Sequence, residues 1–380
     1  MNAISSPMQF GLRQTPKIMQ QVLIAAAPAI LVSTWFFGYG VLLNLIVTSV
    51  FALAFEAAIL KARAMPVRQH LEDSSVLVTA LLFAVAVPPG SPWWLLALGI
   101  GFAVALGKHA YGGLGHNVFN PAMAGYLFLL LAFPLEMTTW HLSEAAFNQG
   151  QTASPLAPLA LWQHLQLTFP VLAGTSLDVD GLAMATPLIE SKMAGQSAIN
   201  RAWTEQLGLF SRTAETGWEW TNIAWLLGGM YLLLRKIISW HIPVSILVTV
   251  IGWSSFFYSE GGSSVVGTPY LHLFGSATMI GAFFIATDPV SAATSNPAKI
   301  AYGIIIGSSI YAVRVWGSYL DSIAIAVLFG NFLAPLLDHW FRPRIYGHGP
   351  TRKLHARRVA VDAMPVQPVG SAISESGTEK

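Results

Sequence analysis

The chain has 380 residues, of which 54% are hydrophobic and only 10% charged, with a mean hydropathy of +0.57. Soluble domains carry about 25% charged residues, so this composition describes a chain solvated mainly by lipid. A net charge of +2 gives no basis for a nucleic-acid partner, and the absence of cysteine excludes disulfides, thiolate zinc sites and cysteine-ligated iron–sulfur clusters. If electrons pass through such a chain, their carrier is organic or a haem. The 10 histidines form no HExxH pattern, and no metal site is predicted.

Residues 1–18 are polar and mildly basic, and the apolar run behind them is too long for a signal-peptide core and has no small-residue cleavage site, so it reads as a retained span. A helix needs about 20 apolar residues to cross the hydrocarbon core. Candidate spans lie near 19–38, 41–60, 74–90, 92–110 and 121–140, then 220–238, 241–259, 271–288, 300–318 and 322–340. The expected fold is therefore an all-α polytopic membrane protein of about ten transmembrane helices, with halves at 19–140 and 218–340, one large extracytoplasmic loop at 141–217, and a basic tail at 341–380.

Charge sets the orientation. With a cytoplasmic N-terminus, the inner side receives all of the 20 Lys and Arg except Lys192, Arg201, Arg212 and Arg314. The segment Pro155 to Leu172 could tempt a hydropathy window. Its three prolines and Gln163, His164 and Gln166 argue against a span, and counting it as one would erase the charge bias. Five spans on either side of the loop permit an inverted repeat. Ser75, Phe83 and Pro88 recur as Ser276, Phe284 and Pro289 at a constant offset, an echo that chance could also produce.

Three regions could carry chemistry. Tyr111 to Met123 holds three glycines and Asn120–Pro121, which cannot continue a helix; it is either a broken element lining a site between the halves or a tight cytoplasmic turn. Asp288, followed by Pro289 and Ser291, could offer a carboxylate to sodium or a proton, or simply cap a turn. Asn120 and Asp288 are thus the ion-pathway candidates. Glu56 is expected to pair with a neighbouring helix and Asp338 to reach the interface near Arg342. In the loop, Asp178 to Leu188 reads as a turn at Asp180 and Gly181 followed by an exposed Thr186 ahead of Pro187; a threonine hydroxyl alone is a poor nucleophile.

Together these residues resemble the D subunit of the Rnf/Rsx ion-translocating electron-transport complex, a family that includes the B subunit of the sodium-pumping NADH:quinone reductase. The similarity runs from about Ser5 to Gly349. It is carried by Trp35 to Gly38, Tyr111 to Gly125, Asp180 to Leu188, Trp240–His241 with Pro243, Gly275 to Pro289, and Arg342 to His348. The resemblance implies FMN joined through its phosphate to Thr186 by a separate flavin transferase, with Asp180, Gly181, Ala185 and Pro187 completing the motif. Flavinylated proteins elsewhere often have Ser and Gly two and three positions before the threonine, where this chain has Met184 and Ala183. It also implies two inverted five-helix halves and a six-subunit assembly in a bacterial inner membrane that passes electrons between NADH and ferredoxin. Both termini would be cytoplasmic and the flavin loop periplasmic. A second, noncovalent flavin in the bundle is left open. The competing readings are a flavin-free transporter or channel for a small solute and a subunit of the quinone reductase. The basic tail suits anionic lipid as well as topology.

Overall fold

The computed structural model describes residues 15–138, 140–141, 161–172, 183–184, 217–258, 268–317 and 322–341. Their regular structure is helical apart from one ladder of two residues per strand. The first half runs α1 (Thr15–Phe37), α2 (Gly40–Ala62), the short α3 (Val67–Leu71), α4 (Ser75–Ala86), α5 (Trp93–Phe102), α6 (Pro121–Ala132) and α7 (Pro134–Thr138). A π-helical segment, Ala103–His109, continues α5. Between the halves lie β1 (Trp140–His141), α8 (Leu161–Thr168) and β2 (Ala183–Met184). The second half runs α9 (Trp218–Leu234), α10 (His241–Phe257), the short α11 (Pro269–Phe274), α12 (Thr278–Ile280) with a π-helical continuation Gly281–Ile285, α13 (Asn296–Trp316) and α14 (Ile323–Trp340).

Four of these helices, α1, α2, α13 and α14, are long and apolar enough to cross a membrane. The other expected spans are shorter. α4 has 12 residues and α6 has 12, while the expected span at 271–288 is divided between α11 and α12 by an irregular turn at Gly275. At 1.5 Å per residue, a 12-residue helix covers only about 18 Å. Helix falls within each of the expected apolar runs, and four of these helices are long enough to cross a membrane while the others are shorter than the runs predict.

Local chemistry explains the breaks. Pro134 separates α6 from α7, and Pro121 opens α6 with Asn120 as its cap, the Asn120 side chain accepting from the Met123 N–H. Backbone groups freed within a membrane must find partners inside the protein. Asn44 of α2 donates to the Pro88 carbonyl at 2.9 Å, just past the end of α4. Asn222 of α9 does the same at the other break, donating to the Phe274 carbonyl at 2.8 Å while its oxygen accepts from the Met279 N–H.

Small residues let the helices approach, as lipid supplies no hydrophobic drive between them. A Cβ on Gly228 of α9 would collide with the Ala25 carbonyl oxygen of α1, and one on Gly125 of α6 would lie 2.5 Å from the Gly99 oxygen of α5. Gly303 and Gly307, four residues apart on α13, seat that helix directly on the Ile242 and Ile246 carbonyls of α10. The halves meet where α1 packs on α9 and α6 on α14.

The segment 155–172 is not a span over its described part. α8 has 8 residues and packs against α2, its buried His164 filling the space beside Gly40 and Gly90. That end of the bundle also gathers Phe37 against Trp218, Trp94 against Phe133, and the tight Gly217 turn against Phe36. The helix starts at Thr15 and Ser75 lie at the opposite end, together with Lys108. β1 pairs antiparallel with β2, Trp140 facing Met184 and His141 facing Ala183.

Candidate functional site

At the Thr15 end, a cavity of about 430 Å³ opens between the halves. Its walls come from α1, α4, the π-helical end of α5, the irregular segment before α6, the end of α9, and the residues following α12. Both candidate ion-pathway residues, Asn120 and Asp288, line it. The segment Tyr111 to Asn120 is irregular, as both of its readings require, and it lines this cavity through Leu114, Gly115, Asn117 and Asn120.

Asn120 joins the halves. Its Nδ2 donates to the Ile285 carbonyl at 3.3 Å, and its own N–H donates to the Asn331 side-chain oxygen of α14 at 2.8 Å. With the Asn331 amide oriented by these neighbours, its nitrogen donates to the Val327 carbonyl and the Tyr302 hydroxyl, the latter at 2.6 Å. Asn120, Asn331 and Tyr302 are 2%, 1% and 0% exposed, so this is an enclosed polar seam in an apolar bundle.

Asp288 caps a turn, as one of its two readings expects, and also lines the cavity. Its carboxylate accepts from the Ser291 hydroxyl at 2.7 Å and from the Ser291 N–H at 3.3 Å, in the turn leading toward α13. Arg342, near which Asp338 is expected, lies outside the described residues. The Asp338 carboxylate accepts from the N–H groups of Thr294 at 2.9 Å and Ser295 at 3.3 Å. Those donors precede α13, and a helix start attracts a carboxylate.

Glu56 pairs across helices as expected, with Lys108 Nζ at 2.7 Å and His109 Nε2 at 2.9 Å. Lys108 departs from its sequence reading as an interfacial positive charge. It is 3% exposed, because the π-helical turn carries it and His109 back toward α2. Arg314 is buried as well. From sequence it counts among the outer-side charges, inside the expected span at 300–318, and it is 2% exposed in the last turn of α13. Its guanidinium donates to the His272 carbonyl at 2.6 Å, to Thr278 at 2.9 Å, to Ser322 at 3.0 Å and to Ser276. Ser75 and Ser276, the pair in the sequence echo, thus each receive a hydrogen bond from a buried cation.

The loop candidates Asp180, Gly181, Ala185, Thr186 and Pro187 lie outside the described residues. The neighbouring Ala183 and Met184 form β2.

A family model described as NQR2, RnfD, RnfE matches residues 2–347, nearly the whole chain. The chain belongs to the NQR2, RnfD, RnfE family. Among its curated relatives is a protein of Ectopseudomonas mendocina named as the D subunit of an ion-translocating oxidoreductase complex. It is 46% identical over 347 residues, covering 91% of this chain and 95% of that protein. Proteins of the same name from Klebsiella pneumoniae and Cellvibrio japonicus are each 43% identical, over 350 and 352 residues, and cover 90% and 92% of this chain and 98% and 96% of theirs. In this NQR2, RnfD, RnfE family member the matched span holds every helix of the bundle, the Asn120–Asn331 seam and the cavity.

Proposed function

We propose that the chain is the D-type membrane subunit of an ion-translocating oxidoreductase complex and carries FMN as a phosphoester on Thr186. The observation that carries this reading is likeness over nearly full length, at 41–46% identity, to proteins named as that subunit. A buried polar seam and an ionisable cavity between two packed halves suit a protein that moves ions, since charged groups inside a membrane bundle cost free energy and are kept chiefly where function needs them.

In this reading the chain has ten spans in two inverted halves, with both termini cytoplasmic, in the inner membrane of a bacterium. Supporting it, 15–138 and 217–341 each run as two apolar helices of 17–23 residues, then shorter helical pieces, then two further helices, with the short α7 added in the first. The cavity end then faces the cytoplasm, and the end holding α8, Phe37 and Trp218 faces outward with the 141–217 loop. Five other subunits supply the iron–sulfur carriers that a chain without cysteine cannot ligate. A flavin transferase makes the Thr186 bond. Flavin supplies electron transfer when bound; the chain's own residues hold the halves together and line the ion's route past Asn120 and Asp288. A cavity of about 430 Å³ is within the usual size of small-molecule sites.

Inverted membrane vesicles test the function. With the chain present, NADH oxidation should drive uptake of sodium ions or protons. Deleting the chain should abolish uptake, and restoring it in trans should bring uptake back. Undiminished NADH-driven uptake in the deletion strain, with other ion pumps inhibited, would contradict the reading.

A further inference from the structure

Glu56, Lys108 and Ser75 form a buried cluster that the Asn120–Asn331 seam does not use. Lys108 Nζ donates to Glu56 Oε1 at 2.7 Å and to Ser75 Oγ at 3.0 Å, and the Lys108 and Glu56 side chains are 4% and 1% exposed. His109 Nε2 lies 2.9 Å from the second carboxylate oxygen, while its Nδ1 lies 3.3 Å from Arg63 Nη1. A buried ion pair adds little net stability, because desolvating both charges offsets their attraction. Three features argue that this pair has another use. Lys108 and Ser75 line the cavity, so the pair has a path to it. Lys108 lies in a π-helical segment, a geometry common at functional sites, and the facing wall ends in the second such segment, Gly281–Ile285. Asn117, in the same wall and 5% exposed, has a buried side-chain oxygen to which no donor among the described residues hydrogen-bonds.

We propose that the Lys108 ammonium occupies a monovalent-cation site formed by Glu56 Oε1 and Ser75 Oγ, and that a cation entering the cavity displaces it. An ammonium group and a partly dehydrated alkali cation carry the same charge and take the same oxygen ligands. The Lys108 stem is flexible, and the Asp288 carboxylate on the opposite wall offers its head group a second counter-charge. The exchange conserves charge at Glu56 at every stage. A tethered competitor also weakens cation binding, and a conducted ion must be able to leave. The proposal rests on the reading of this chain as an ion-moving subunit and assigns the site at which the ion is held.

Two measurements test it, both on the full chain purified in detergent and neither needing an electron donor, so they can fail while NADH-driven uptake stands, or hold while it fails. The first is the thermal unfolding midpoint at fixed ionic strength, with sodium, lithium or potassium chloride exchanged against choline chloride. Wild type and Lys108→Arg, which keep a tethered cation, should respond weakly. Lys108→Met should gain a saturable rise with at least one alkali cation and none with choline, and Glu56→Gln added to Lys108→Met should remove it. A Lys108→Met midpoint equal in all salts, or a rise that survives the second substitution, would overturn the proposal. The second uses wild type alone and so does not depend on a variant folding: reductive methylation of Lys108, read by mass spectrometry. Labelling should increase several-fold between choline and a saturating alkali cation; equal labelling in all salts would overturn the proposal.

Discussion

Arg314→Met is expected to destabilise the bundle by about 3–5 kcal/mol, the range for breaking a buried, hydrogen-bonded charge site. The guanidinium sits where the chain turns between α11 and α12, and it satisfies the His272 carbonyl, the Ser276, Thr278 and Ser322 oxygens, and hence the irregular backbone at Gly275. Removing it leaves the buried His272 carbonyl and Thr278 and Ser322 hydroxyls without this donor. Arg314→Lys should recover less than half of the loss, because an ammonium is a point charge and cannot reproduce a planar fork that serves several acceptors at once. Thermal or denaturant unfolding of the detergent-purified chain measures both. A Lys variant as stable as wild type would mean that charge alone matters there.

Asn331→Leu should cost about 2–4 kcal/mol, since a side chain of similar size would fill the space and leave at least two buried polar groups unpaired. The groups at stake are the Asn120 N–H and the Tyr302 hydroxyl, one from each half. Asn120→Ala, which keeps its backbone N–H bonded to Asn331 and loses the cap and the Ile285 contact, should cost less, about 1–2 kcal/mol. The order of the two variants in the same unfolding assay is the test. If Asn120→Ala proves the more damaging, the seam is held by the Asn120 side chain rather than by Asn331.

Much of the bundle is legible in the sequence because its signals are local. Apolar runs locate the helices, glycines and Asn120–Pro121 locate the break at Tyr111–Asn120, and three polar residues with prolines keep 155–172 out of the span count, whereas the break at Gly275 falls inside what reads as one continuous span. Asn120 and Asp288 stand out as polar groups beside prolines at span ends, and the fold brings both to one cavity. Lys108 and Arg314 mislead because charge counting assigns every basic residue near a span end to an interface. Only a π-helical turn, for Lys108, and a broken neighbouring helix, for Arg314, turn such a residue inward. Asn331 gives no signal, being one asparagine in an apolar helix whose partner is 211 positions away in the chain. Gly303 and Gly307 do carry one, a four-residue spacing of small residues within an apolar run that marks close helix packing. For Asp338 the nearest charge in sequence is the obvious partner, while the hydrogen bonds found among the described residues come from Thr294 and Ser295 at the start of α13, more than 40 positions earlier.

The most direct test of the account is whether the polypeptide itself is a flavoprotein. The chain, coexpressed with a flavin transferase, should run as a fluorescent band after denaturing electrophoresis, and Thr186→Val should run at the same position without fluorescence. A dark wild-type band under those conditions, or a Thr186→Val band as bright as wild type, would contradict covalent FMN at Thr186.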